Sequence, residues 1–201
     1  PGRFTMLETI RAFGLEHLAE AGETHEARRR HAAFYVQFVS DLEAFWAPFM
    51  PNAQQILDQL DIEHPNLNAA LAWQRDAGET DLLALAGKLY FFWQLRGRIG
   101  EGQAWLEWGL GHLDSAPPST QAIAQIALAG ILFQRAEFDR ALRLCDASIA
   151  LFAAAGDAAG VVHACECAIA PAYSSRQLSR ASSYIDEAVA ALARVGEQSM
   201  D

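Results

Sequence analysis

One arrangement of residues occurs three times in the second half of the chain and limits the fold more than any other feature. Ile99, Phe138 and Leu178 each follow a short turn and open a helical pattern. Three residues on stand Gly102, Ala141 and Ala181, all small, and four further on come Leu106, Cys145 and Ile185. Then come Gly109, Ser148 and Ala188, small again, followed by Leu110, Ile149 and Val189. The copies lie 39 and then 40 residues apart. A fixed period in this range marks stacked helical hairpins, none of which can bury its apolar face alone. A large side chain at a close helix crossing would hold the axes apart, so the small columns mark the contacts. The first helices carry matched columns as well: Leu89, Leu128 and Ala168, then Trp93, Leu132 and Ala172. An array of this kind presents a surface rather than performing chemistry.

The rest of the chain also reads as helix. Thr5 and Glu8 form a capping box, and Met6 to Ala21 carries apolar residues at helical spacing up to Gly22. A second helix spans His25 to Trp46, with Pro48 and Pro51 bracketing a turn. Asn52 to Ile62 and, after a break, Pro65 to Ala77 follow, closed by Gly78; Pro65 suits a first-turn position and Asn66 a cap. The hairpins then pair Thr80–Arg96 with Gly100–Leu113, Ser119–Arg135 with Phe138–Ala155, and Asp157–Ser174 with Leu178–Val195, with Gly156 and Gly196 ending the last two. Pro171 predicts a kink or early end in the third first helix, because it removes the bond to the Cys167 carbonyl. Only Arg3-Phe4-Thr5 could be the stub of a strand. The expected organisation is an N-terminal helical region, 1–78, and three hairpins, 79–116, 117–156 and 157–201, packed as one continuous array. The fold class is all-α: a right-handed superhelix of antiparallel helix hairpins, about ten helices in all.

Composition excludes several functions. At 52% hydrophobic the chain is too apolar for disorder, yet no apolar run approaches the ~20 residues of a bilayer span. The formal charge is −10, and Arg28-Arg29-Arg30 is the one cationic cluster. It sits on a helix beside Glu23 and Glu26 and reads as a solvated face, so this segment is not expected to grip nucleic acid. Cys145, Cys165 and Cys167 do not make a disulfide framework and suggest reduced, buried thiols in a reducing compartment; cytoplasmic is the default address. The chain opens Pro1-Gly2-Arg3 with no signal or transit pattern, which we read as an excised piece of something longer.

The repeat columns resemble the tetratricopeptide repeat, most closely at the turn Ala136-Glu137-Phe138-Asp139-Arg140-Ala141. The period exceeds the usual ~34 residues, so these would be a longer variant. The first hundred residues resemble the region following the winged helix in bacterial STAND-class signal-transduction ATPases, including LuxR-type and AfsR/SARP-like transcriptional regulators. The resemblance is carried by Arg3-Phe4-Thr5-Met6-Leu7-Glu8-Thr9-Ile10-Arg11-Ala12-Phe13, by Arg28-Arg29-Arg30-His31-Ala32, by Glu63-His64-Pro65-Asn66-Leu67-Asn68-Ala69-Ala70-Leu71-Ala72-Trp73, and by Arg96-Gly97 through Trp105-Leu106-Glu107. Pro65 departs from the acidic residue more usual there. The resemblance implies a non-catalytic sensor or protein-interaction arm, whose partners are an upstream ATPase and winged helix and an unidentified effector or protein. No P-loop motif and no helix-turn-helix occurs in this sequence. The alternative is a stand-alone tetratricopeptide scaffold that binds a peptide or partner protein.

No set of residues converges on catalysis, and no cofactor is expected. His163-Ala164-Cys165-Glu166-Cys167 invites a metal reading, but Cys165 points away from the face shared by His163 and Cys167, so core cysteines fit better. Glu63-His64 near Asp58 and Asp61 lacks a nucleophile or oxyanion hole, which favours a helix end. In the family resemblance Trp105 matches a core position, whereas Trp108 does not and is expected to be exposed as a contact to another domain. Tyr90 and Trp93 fall on packing columns. In tetratricopeptide register Phe91 instead falls on the inner, concave column. Continuing that column gives a candidate groove of Phe91, Gln94, Phe133, Gln134, His163, Glu166, Tyr173 and Ser174, suited to a peptide or small polar ligand unless the N-terminal helices fill it. Exposed apolar surface is expected at Met6–Phe13 and after Val195, with self-association through the ends.

Overall fold

A computed structural model describes residues 7–42 and 50–198, which form ten helices with no strand among them. These are α1 (Glu8–Glu20), α2 (Thr24–Asp41), α3 (Ala53–Ala77), α4 (Asp81–Lys88), α5 (Tyr90–Leu95), α6 (Ile99–His112), α7 (Pro118–Gln134), α8 (Phe138–Ala154), α9 (Ala158–Ser174) and α10 (Leu178–Gln198). The fold is the expected all-α helical repeat. From α6 onward each helix packs on the next, while α2 and α3 stack on α4 at the head of the array and α1 rests on α2. The expected strand stub, Thr5 of the capping box, Trp46 and Pro48 lie outside the described residues.

The three hairpin turns share one backbone device. Gly97, Ala136 and Arg176 have φ of 68°, 59° and 60° and stand at the repeat period. In each turn the next residue's N–H reaches back into the first helix: Arg98 to Trp93 O at 2.7 Å, Glu137 to Leu132 O at 2.9 Å and Gln177 to Ala172 O at 2.9 Å. This left-handed cap satisfies the last carbonyls and reverses the chain. Only the first copy places glycine there, so Ala136 and Arg176 hold a conformation that L side chains disfavour.

The small columns act as anticipated. Gly102 lies under the buried Trp93, where an added Cβ would stand 2.7 Å from the indole Cδ2, and Gly109 lies under Leu83 at 2.6 Å from Cδ2. The apolar columns Leu89, Leu128 and Ala168 and Trp93, Leu132 and Ala172 are buried throughout. Ser148, a small column member, is buried and donates its hydroxyl to Ala122 O at 3.0 Å.

Several boundaries differ from expectation. Pro65 does not divide the helices around it; α3 runs through it unbroken. The lost hydrogen bond costs a few kcal/mol at most, and Ile56, Leu57, Leu60, Leu67 and Leu71 bury the helix on both sides of it. Asn66 is therefore no cap: its Nδ2 donates to Glu63 Oε2 at 2.7 Å. The single helix expected over Thr80–Arg96 is interrupted at Leu89, whose N–H is shared between Leu85 O and Ala86 O, both at 3.2 Å. Pro171 does not end α9 early; it is buried, and the helix continues to Ser174, with Ser175 Oγ donating to the Pro171 carbonyl at 2.8 Å. Gly196 lies inside α10 rather than ending it.

The structure also extends the signature backwards. One period before Leu106, Gly109, Leu110 and Leu113 stand Leu67, Ala70, Leu71 and Gln74, all buried. The second half of α3 thus behaves as the second helix of a preceding copy. Among the described residues no separate first helix precedes it: one period before Leu89 and Trp93 stand Met50 and Gln54, just ahead of α3 and in its first turn.

Candidate functional site

The first helices of the hairpins lie side by side, α5 against α7 and α7 against α9, and form the face on which the candidate groove residues were expected. Among the described residues the N-terminal helices stack on α4 rather than along α7 and α9. The centre of this face is taken by Tyr90. Its ring crosses α7 at Gly130, where an added Cβ would stand 2.5 Å from Tyr90 Cζ. The hydroxyl is hydrogen-bonded to Gln134 and lies near Cys167 of α9. Burial, reinforced by Cys167, pushes the Tyr90 hydroxyl up to about 12, so it stays protonated across the physiological range.

The predicted residues distribute around that bridge. Phe91 and Gln94 are half-buried on α5; Phe91 packs on Tyr90 with ring centroids 4.6 Å apart, and Gln94 Oε1 is buried without a hydrogen-bond partner among the described residues. Phe133 is half-buried but turns toward its own hairpin, 5.9 Å from the Phe138 ring. Gln134 is exposed and joins Tyr90. On α9, His163 is half-buried and Glu166 exposed; burial lowers the His163 pKa against the opposing charge of Glu166. Tyr173 and Ser174 are exposed at the far end of the helix. The structure therefore brings Gln134 and Phe91 each to Tyr90, and leaves Tyr173 and Ser174 exposed at the C-terminal end of α9. Sequence reasoning placed Tyr90 on a packing column and missed its crossing; the signal was Gly130, a glycine in mid-helix opposite an aromatic.

The cysteines sit in helix interfaces. Cys145 and Cys165 are buried and Cys167 half-buried, and desolvation raises their thiols to about 12, 11 and 12. Thiols held in this form are poor nucleophiles. Trp108 is not a free contact: it is half-buried, packs on the core and stacks on His112 at 4.7 Å. Trp105 also packs on the core, with the Arg75 guanidinium 5.5 Å from its ring centre. Arg28, Arg29 and Arg30 are exposed, and Glu26 accepts from Arg29 and Arg30 at 2.7 Å each, as a solvated face requires.

A second concavity lies between α1, α2 and α3. It encloses about 520 Å³, with Leu15, Leu18, Ala27, Ala69, Ala72 and Trp73 as its apolar walls and Thr24, Arg28, His31, Asn66 and Asp76 as its polar groups. Thr24 Oγ1 is buried there without a hydrogen-bond partner among the described residues. Below it Glu63 accepts from both Tyr35 and Asn66 at 2.7 Å, which fixes Asn66 on the cavity wall. Beside it His64 Nε2 meets Glu101 Oε1 at 2.8 Å and ties α3 to α6. The volume is that of a small-molecule site.

No helix among the described residues is long and apolar enough to cross a membrane. No family model matches the chain, and no solved structure matches it. Proteins named "Putative HTH-type transcriptional regulator" in Mycobacterium bovis and in two strains of Mycobacterium tuberculosis are 34% identical to it over 104 residues. The matched stretch is 51% of this chain and 11% of each of those proteins, so the chain spans only a small part of the relatives it matches. Half of this all-helical array is thus similar to a segment of proteins named as bacterial transcriptional regulators.

Proposed function

We propose that the chain is a non-catalytic sensor and protein-interaction arm of a bacterial STAND-type, LuxR-like transcriptional regulator, working in the cytoplasm. It binds an effector or partner on its tetratricopeptide-like array and controls an attached ATPase and DNA-binding module. The similarity to named HTH-type regulators over half the chain carries this reading. The helical-repeat fold supports it, because stacked hairpins supply an extended surface rather than a convergent catalytic set.

Control would be conformational. An effector that binds one arrangement of the array better than another shifts the resting state of whatever is attached, by no more than its difference in affinity for the two. The α5–α7–α9 face offers half-buried aromatics, the unpaired Gln94 carbonyl and the acidic Glu166, which suits a peptide or small polar effector. A thermal-shift screen of the chain against nucleotides, sugars and peptides tests this reading. A stabiliser acting at micromolar concentration, and losing its effect with Phe91→Ala and Phe133→Ala, supports the groove. The same stabilisation in the unaltered and doubly substituted chains, at unchanged intrinsic stability, excludes it.

A further inference from the structure

The face of α2 that lines the cavity between α1, α2 and α3 is polar where a packed helix would be apolar. Thr24, Ala27, Arg28 and His31 stand at helical spacing on that face. Within the run of adjacent arginines, Arg29 and Arg30 share Glu26. Arg28, the one that lines the cavity, makes no ion pair and no hydrogen bond among the described residues. The one acid on the described wall, Asp76, is engaged by its neighbour Arg75 at 3.2 Å. The buried, unsatisfied Thr24 hydroxyl lies one turn from Arg28. In a chain of net charge −10, a cavity wall with a free guanidinium and a free hydroxyl is set for an anionic ligand.

The other walls are apolar and leave room between them. α3 presents Ala69, Ala72 and Trp73, and the two alanines keep open a gap that larger side chains would close. Across it α1 presents Leu15 and Leu18. That half of α1 is held by its turn into α2: Gly22 has a φ of 72°, and the Glu23 N–H donates to Leu18 O at 2.8 Å. The gap is thus fixed by the α1–α2 connection and by the small residues of α3. The Trp73 indole, met edge-on by His25 with ring centroids 5.6 Å apart, adds a ring surface, which favours a flat aromatic body over an alkyl chain.

We propose that this cavity binds a small aromatic carboxylate. The ring lies between Leu15 and Leu18 of α1 and Ala69, Ala72 and Trp73 of α3. The carboxylate meets the Arg28 guanidinium and accepts a hydrogen bond from Thr24 Oγ1. A cavity of about 520 Å³ accommodates an acid of one or two rings. The site is separate from the α5–α7–α9 face, and occupancy would tie α1 to α3 whether or not an ATPase is attached.

Calorimetric titration of the 201-residue chain with benzoate, 2-naphthoate and indole-3-acetate, and with the matching neutral amides, tests this. At least one acid should bind with a Kd of about 500 µM or tighter, and its amide at least tenfold more weakly. Arg28→Met should weaken that acid at least tenfold, to the level of its amide. Arg28 is exposed, so the variant should melt as the unaltered chain does. Ala69→Leu, also at an exposed wall position, should weaken acid and amide alike by filling the gap. No acid reaching that affinity overturns the proposal. So do equal affinities for acid and amide, or undiminished binding in Arg28→Met or in Ala69→Leu. Binding that disappears instead with Phe91→Ala and Phe133→Ala puts the acid on the array face; it overturns the cavity site and leaves the regulator reading standing.

Discussion

The Tyr90 ring crosses the array at Gly130, so that three successive first helices meet around one phenol. Gly130→Ala forces that ring off α7, because the new methyl would occupy the space of Cζ. The ring can swing outward, so the expected cost is modest, about 1–2 kcal/mol. The clearer readout is the phenol itself. Burial holds it at about 12, and in Gly130→Ala it should titrate closer to the ordinary tyrosine value, measured by NMR with labelled tyrosine. An unmoved titration would show that Tyr90 does not depend on Gly130.

Gly102→Ala should cost more than Gly130→Ala. Its methyl would meet Trp93, which is fully buried and has nowhere to turn. A loss of about 2–4 kcal/mol in denaturant unfolding is expected, approaching that of Trp93→Ala. Equal losses at the two glycines would contradict the close-crossing role of the small column.

The shared turn predicts opposite effects from formally similar changes. Ala136→Gly and Arg176→Gly each relieve a left-handed residue and should stabilise by roughly 0.5–1 kcal/mol, whereas Gly97→Ala should destabilise by about the same amount. Thermal melts of the three single variants check the signs.

Acid should weaken the array in two steps. Burial depresses His163, so the folded state resists its protonation; the stability it contributes is complete above the unfolded value near 6.5 and falls as pH drops through and below it. Glu107 is held below its usual range by Gln103 and then by Arg140, so its contribution is present above 4.5 and is lost at lower pH still. His163→Gln should flatten the first step and leave the second. A stability profile unchanged below pH 6.5 in that variant would contradict the assignment.

Much of the architecture was legible because the repeat is written in side-chain size. Gly102, Ala141 and Ala181 mark crossings, and the hairpins fell where those columns placed them. Proline misled where burial outweighed a lost hydrogen bond: α3 passes through Pro65 and α9 through Pro171 because the flanking helix is packed on both sides. The earlier copy in α3 was hidden because Glu63 stands where the later copies have Gly102, Ala141 and Ala181, and because Met50 and Gln54 fall at the columns of a first helix. The candidate face was less legible. A column assignment says which way a residue points, but Tyr90 is long enough to leave its own column and reach the next two helices once Gly130 makes room. Trp108 was misread for a related reason, since the stacked His112 lies one turn away on the same helix and shields it.

On the proposed reading, in which residues 1–201 are joined to an ATPase, the most direct measurement is the ATP hydrolysis rate of that joined polypeptide with residues 1–201 intact and with them excised. If the array is a controlling arm, excision changes the rate several-fold. An unchanged rate, with both proteins folded and binding nucleotide equally, would contradict it.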